Sequence, residues 1–217
     1  MIIIGFFLCK RLEKCPRKSA RGKNWNCCKS GCIIILCTKK EILDKMLYLK
    51  EMNLDDAKVQ WEFFQTCPDE NGVENLYMNM SFEDFCKNGI PKRIEFSKGI
   101  NLPEGYVPDT YYFLYDTEVG ENKIVGHFKI RHFLNDFLFN GSGHIGYIIH
   151  PDFRGRGYGT KGLKLAIEKL KEMSDFIEDE IFLRCLRSNE ASLKVMLNNG
   201  GYLHHQDDEY NFVRIKR

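Results

Sequence analysis

No apolar run in this chain approaches the ~18 residues that a membrane-spanning helix needs. Ile2 to Cys9 and Cys32 to Cys37 are the nearest candidates, and both are too short. Positive charge does not precede the first of them and no small-residue cleavage site follows it, so a secretory leader is not expected. Nine cysteines are present, yet none is spaced C-x-x-C. Six of them (Cys9, Cys15, Cys27, Cys28, Cys32, Cys37) crowd the first 45 positions with no histidine among them, and no metal site is expected. A phosphate-binding G-x-x-x-x-G-K-[ST] loop is missing too, because Lys161 is followed by Gly162. Neither repeats nor low-complexity tracts occur, which excludes a solenoid or a linker-like chain.

What remains is ordinary globular composition, 43% hydrophobic and 29% charged over 217 residues, enough for one domain plus an appendage. The net charge of +2 hides an asymmetry. Residues 1–45 hold 11 Lys and Arg against 3 Asp and Glu, whereas the rest holds 21 against 27. Nucleic acid is therefore not an expected partner of the acidic body. Met46 opens MLYLKEMNLDDA, where the composition becomes that of a folded domain. The expectation is a domain over 46–217, with 1–45 either an upstream extension of the gene model or a disordered basic tail. Only Cys67, Cys86 and Cys185 are left in that body, which suits a reducing cytoplasm.

The informative stretch runs from His144 to Gly162. It reads as a buried strand (Ile145, Tyr147, Ile148, Ile149), a turn at His150-Pro151-Asp152, a loop with Gly155, Gly157 and Gly159 at alternate positions, and then a helix. Such a loop lets backbone N–H groups turn toward one point, and the helix start adds unpaired donors and the positive dipole end. A diphosphate is the natural ligand, and Arg154 and Arg156 bring cationic forks to it. The competing reading is a glycine-rich turn with two exposed arginines. Gly157, Gly159 and Gly162 also spell G-x-G-x-x-G, with Glu178 to Glu180 where a ribose-binding acid would sit. Too little chain follows Gly162 for the run of βα units a dinucleotide fold needs.

Arg154-Gly155-Arg156-Gly157-Tyr158-Gly159 resembles the acyl-CoA pyrophosphate loop, Gln/Arg-x-x-Gly-x-Gly/Ala, of the GNAT superfamily of N-acetyltransferases. Asn189-Glu190-Ala191-Ser192-Leu193-Lys194-Val195, ending in Asn199-Gly200-Gly201-Tyr202, is similar to its second motif block. Arg131 to Asn135, Gly143 to Tyr147 and Asn198 to Gly201 further resemble a bacterial subgroup of predicted acetyltransferases of unknown substrate. The resemblance covers about residues 50 to 215. It implies an α/β (α+β) fold, a mixed, mostly antiparallel twisted sheet with helices on both faces, and acetyl-CoA as cosubstrate.

The chain's own patterns agree with that architecture. Leu47 to Leu49 reads as a strand, and Asp55 or Asp56 can cap a helix to about Gln65. Ser81 and Asp84 resemble a capping box for a short helix, Phe82 to Cys86, expected to stop at Asn88-Gly89-Ile90-Pro91. Thr110 to Tyr115 and Lys123 to Phe133 read as a hairpin. After the glycine loop, Leu163, Ala166, Ile167, Leu170 and Met173 make a helical core face. Ile181 to Leu186 is the next strand, Ser188 or Asn189 caps a helix to about Asn198, and two short strands close the chain. His204 and His205, adjacent on a strand, are expected to point opposite ways.

The resemblance also implies roles. Loop amides from Arg154 to Thr160, through Gly155, Arg156, Gly157, Tyr158 and Gly159, would hold the pyrophosphate. The edge of Ile148 and Ile149 would pair with pantetheine and supply an oxyanion donor, and Asn189 would touch pantetheine. The acceptor, an amine attacking the thioester directly, would lie against the first two helices. His144 is one candidate base, with His132 and Glu118 behind it. Many members carry a tyrosine seven residues after the motif asparagine to protonate the leaving thiolate; Met196 stands there. Ser192 is the substitute candidate, as in ribosomal-protein N-terminal acetyltransferase relatives, and Tyr202 the reserve. Transfer of another acyl group, or acyl-CoA binding without catalysis, stay open. So does the choice between monomer and homodimer.

Overall fold

The computed structural model describes residues 47–217. The basic, cysteine-rich segment and the expected start at Met46 lie outside the described residues.

Four antiparallel strands form the first half of the sheet in the order β1 (Leu47–Glu51), β2 (Asp109–Asp116), β3 (Ile124–Arg131), β4 (Ile145–Ile149). Three more, β5 (Glu180–Leu186), β6 (Tyr202–Gln206) and β7 (Tyr210–Lys216), form the second half in the order β5-β7-β6. Helices α1 (Ala57–Thr66), α2 (Phe82–Asp84), α3 (Ile90–Ser97), α4 (Asp136–Phe139), α5 (Tyr158–Glu172) and α6 (Glu190–Asn198) complete the described fold.

β2 explains why the sheet has two covered faces. Its sequence DTYYFLYD is rich in aromatic strand formers, and every residue of it is buried. Successive side chains alternate. Tyr112 and Leu114 enter one core with Phe128, Leu163, Leu170 and Met196, under α5 and α6. Tyr111, Phe113 and Tyr115 enter the other with Phe63, Phe64, Phe85 and Ile90, under α1 and α3. Each fully buried Leu or Phe contributes about 1.5–3 kcal/mol of transfer free energy. The contact with α5 is close enough to require a glycine: a Cβ at Gly162 would stand 2.4 Å from Phe128 Cζ and 2.9 Å from Leu114 Cδ2.

Two local expectations change. The helix capped by Ser81, whose Oγ accepts from the Asp84 N–H at 3.1 Å, does not stop at Asn88-Gly89-Ile90-Pro91. It passes through a π-helical turn, Phe85–Gly89, into α3. Pro91 sits in the first turn of α3, where its missing N–H costs little, and the widened turn before it absorbs the ring. His204 and His205 do not point apart either. Their Nδ1 atoms lie 2.7 Å from one another, because the β6–β7 register slips between Leu203 and His205 and the extra residue breaks the alternation.

The two half-sheets meet at one point. His144 N–H donates to Phe182 O at 2.8 Å, and Phe182 N–H donates to His144 Nδ1 at 2.9 Å. Among the described residues no other main-chain hydrogen bond joins β4 to β5, so a cleft opens between them toward Ile149 and Leu186. No helix among the described residues is long and apolar enough to cross a membrane.

Candidate functional site

β4 leaves one edge open on that cleft. His150 N–H donates to Val125 O at 3.1 Å, and Arg131 N–H to His144 O at 2.8 Å. Ladder-bonded positions alternate along an antiparallel pair, so Gly146 and Ile148 direct their main chain at β3 while Tyr147 and Ile149 direct theirs outward. Of the expected pair, Ile149 is on the open edge, and Ile148 is not. Tyr147, which pattern reading treated only as part of the strand core, takes the second outward position. Ile149 O already accepts from Arg154 Nε at 3.0 Å.

Beyond β4, a 3-10 turn at Pro151–Phe153 leads to the glycine loop. The N–H groups of Phe153 and Arg154 donate back to His150 O (2.9 Å) and Pro151 O (3.2 Å), and that of Lys161 to Gly157 O (3.1 Å). The N–H groups between, Gly155 to Thr160, find no acceptor among the described residues. Gly155 at φ +73° and Gly157 at φ +82° both adopt left-handed backbone, which a side chain would resist. Alternation of that kind folds successive amides around one concavity, here at the start of the 15-residue α5. Main-chain donors arranged in this way can hold an anion.

The side chains of the loop do something else. The guanidinium of Arg154, expected at the phosphates, ion-pairs with Glu70 from the segment between α1 and α2. Arg156 is exposed, its Cζ 5.6 Å from the centre of the Phe153 ring, with no carboxylate in ion-pair range among the described residues. The Tyr158 hydroxyl is buried and donates to Asp116 Oδ2 at 2.6 Å; burial, and then Asp116, push its pKa up to about 12. Its main chain, not its ring, faces the loop.

Across the cleft, Asn189 caps α6. Its Oδ1 accepts from the Ser192 N–H at 3.0 Å. The Ser192 hydroxyl meets that of Tyr147 at 2.8 Å, and Tyr147 Oη also lies 3.3 Å from Ser192 O. The Tyr147 ring stacks on Phe128, centroids 5.5 Å apart. Desolvation raises the Tyr147 pKa, only partly offset by the Ser192 hydroxyl, so the phenol stays protonated at neutral pH. Met196, at the position where many relatives of the resembled family hold a tyrosine, is core at 1% exposure.

His144 and Tyr202 are not brought to this cleft. His144 is 0% exposed, locked between Phe182 N–H and Glu178 (Nε2 to Oε2 3.5 Å), with its pKa lowered by burial to about 4. In that position it links the two half-sheets and is not exposed to the cleft. Tyr202 is exposed on β6, its hydroxyl donating to Glu180 Oε1 at 2.8 Å. Glu180 begins β5, at the end opposite the cleft mouth, so Tyr202 lies apart from the glycine loop and the open edge of β4. His132 Nε2 lies 2.8 Å from Thr110 Oγ1, and Glu118 sits in the β2–β3 turn.

Pattern reading also missed a polar stripe. His127, Lys129 and Arg131 alternate on β3 and share the face under α1 and α3. Buried Asp109 pairs with Arg93 and, at 3.2 Å, with Lys129 Nζ. Desolvation, reinforced by Arg131 and Arg93, lowers the Lys129 pKa to about 7. The signal was present as the alternation His-Phe-Lys-Ile-Arg.

Several solved acetyltransferase structures share this architecture. The ribosomal-protein-S5-alanine acetyltransferase from Vibrio fischeri matches with a TM-score of 0.58 at 16% identity, over 79% of this chain and 93% of that one. The ribosomal L7/L12 alpha-N-protein acetyltransferase RimL, in complex with coenzyme A, matches at 0.52 and 17%, over 79% and 93%. The microcin C7 self immunity acetyltransferase MccE, in complex with acetyl-CoA and AMP, matches at 0.56 and 14%, over 81% and 94%. At such identities the likeness is one of fold. Residues 74–200, more than half the chain, match the acetyltransferase (GNAT) family, and the chain belongs to that family. A curated protein named 3-dehydroquinate dehydratase, from Clostridium botulinum (strain Eklund 17B / Type B), is 30% identical over 105 residues, 48% of this chain. The match spans 40% of that relative's length.

Proposed function

We propose that residues 46–217 form an N-acetyltransferase that moves an acetyl group from acetyl-CoA to a primary amine by direct attack. Family membership supports acyl transfer from CoA as the activity class. The observation that carries the finer reading is the run of acceptor-less amides from Gly155 to Thr160 at the start of α5. Main-chain donors there suit a pyrophosphate, because each N–H without a partner gains a charge-assisted hydrogen bond from the anion.

The remaining residues divide the work along the cleft. The outward N–H groups of Tyr147 and Ile149 on β4 are the candidates to pair with pantetheine and to donate to the oxyanion as charge develops on the carbonyl. Asn189 Oδ1 is committed to its cap, which leaves its amide nitrogen for a cosubstrate contact. The hydroxyl pair Tyr147–Ser192 replaces the missing helix tyrosine as proton donor to the leaving thiolate, and the raised pKa of Tyr147 keeps its proton available. An acceptor amine with a solution pKa of about 8 to 10 needs little help to lose its proton at neutral pH, and water suffices. Arg154 acts indirectly, holding the Glu70 loop to the end of β4.

The buried Met196 favours one second reading, an acyl-CoA binder without turnover. Calorimetric binding of acetyl-CoA together with thiol release in the presence of an amine panel separates the two. Binding with release supports the transferase; tight binding with no release for any amine supports the sensor; no binding removes both.

A further inference from the structure

The face of the cleft away from α5 and α6 carries a charge imbalance that the transfer chemistry does not use. Arg93, Lys129, Arg131 and Arg184 gather there, and among the described residues Asp109 is the one carboxylate in ion-pair range of any of them. Arg93 and Lys129 share it, and both lie over the Tyr111 ring, Cζ at 3.9 Å and Nζ at 5.8 Å. Arg131, opposite Asp109 in the β2–β3 ladder, reaches only a carbonyl, Gly143 O at 2.9 Å. Arg184 comes from β5, stacks on Tyr210 at 3.9 Å and reaches Ser142 Oγ at 3.4 Å.

These cations strain one another. Burial, followed by the charges of Arg184 and Arg93, lowers Arg131 to about 10, against the raising effect of Tyr111. Arg93 is 6% exposed and its Nε has no partner. Desolvated charge in excess of its counter-ions is costly, and fold stability alone would favour apolar side chains at these positions. Free space lies alongside. Gly146 faces Lys129 across the ladder, and a Cβ built there meets nothing within 4 Å. The next residue, Tyr147, carries the outward main chain of the cleft.

We infer that the acceptor is an anionic amine, one bearing a carboxylate or phosphate group, whose acidic group seats between Lys129, Arg131 and Arg184 beside Gly146 and presents the nitrogen to the cleft edge. This rests on the transferase reading above and names its substrate class. The bound anion supplies the counter-charge that Asp109 cannot provide for three guanidinium groups, and it favours the protonated form of Lys129. Guanidinium forks from two strands suit either oxyacid.

The test uses the full chain, acetyl-CoA, and paired acceptors: β-alanine against its amide, 2-aminoethyl phosphate against ethanolamine, and putrescine as a cationic control. Anionic members are expected to have kcat/KM at least tenfold above their neutral partners, and the stronger of the two pairs identifies carboxylate or phosphate. Arg131→Gln, and separately the more peripheral Arg184→Gln, should raise KM for the anionic amine and narrow the gap to its neutral partner, with acetyl-CoA affinity retained as the sign of an intact fold. Where no panel amine turns over, binding of the N-acetylated products to CoA-loaded protein gives the same comparison. Equal handling of anionic and neutral compounds, or preference for putrescine, overturns the inference while leaving acetyl-CoA binding in place. Failure to bind acetyl-CoA at all overturns the transferase reading and this inference with it.

Discussion

Strand β3 has two faces that obey different rules. Toward α5, Phe128 and Ile130 are fully buried in an apolar cluster, and Gly162 lets the helix settle on Phe128. Toward α1 and α3, His127, Lys129 and Arg131 share a face with Tyr111 and Asp109, under an α3 residue, Arg93, whose Nε has no partner. The first face gains free energy from every contact. The second carries desolvation penalties that packing does not explain: burial lowers His127 to about 3 and leaves its Nε2 without a hydrogen bond. One side of the strand is scaffold and the other holds groups kept at a cost, which is where function is to be sought.

The largest effect should come from the loop that both faces support. Gly157→Val forces a β-branched residue to φ +82°, and we expect at least a hundredfold loss of acetyl-CoA affinity by calorimetry from a protein that still melts cooperatively. Unchanged affinity would mean the amides do not hold the cosubstrate. On the apolar face, Gly162→Ala places a methyl group against Phe128 and should lower stability in urea by about 1–3 kcal/mol. A neutral result would show that α5 can move away without loss, erasing the contrast between faces.

The polar side is tested by acid. His144 and His127 have folded pKa values depressed to about 4 and 3, below the 6.5 of the open chain. The unfolded state therefore binds more protons, and stability should fall as pH drops from 6.5 toward 4, with a further loss from His127 toward 3. Each buried histidine adds a slope of up to about 1.4 kcal/mol per pH unit in that window. Denaturant titrations at pH 7, 6 and 5 should reveal it, and His144→Gln should flatten the curve. The smallest effect bears on the cleft itself: Tyr147→Phe removes the hydroxyl that meets Ser192 and should reduce kcat about tenfold, with acetyl-CoA affinity little changed. Equal kcat would leave the thiolate to depart unassisted.

Much of the fold was legible because it depends on near neighbours. The order of strands and helices after the glycine loop, the core face of α5 and the Asn189 cap all follow from periodicity and local hydrogen bonding. The helix through Pro91 was not legible, since a π-helical turn hides a proline inside a longer helical path. The pairing of His204 with His205 was hidden for a similar reason: the bulge depends on the partner strand β7.

What the sequence by itself determined is the backbone of the loop. Glycine at 155 and 157 permits the left-handed turns found there, and the helix that follows leaves its first amides unpaired. Only the tertiary structure decided which side chains accompany them. Arg154 went to Glu70, 84 positions away, His144 to Phe182 and Glu178, and the Tyr147 phenol to Ser192, 45 positions away. Local dihedral preference acts within a few residues. A side chain's partner is whatever packing brings within hydrogen-bond reach, and no spacing along the chain encodes it.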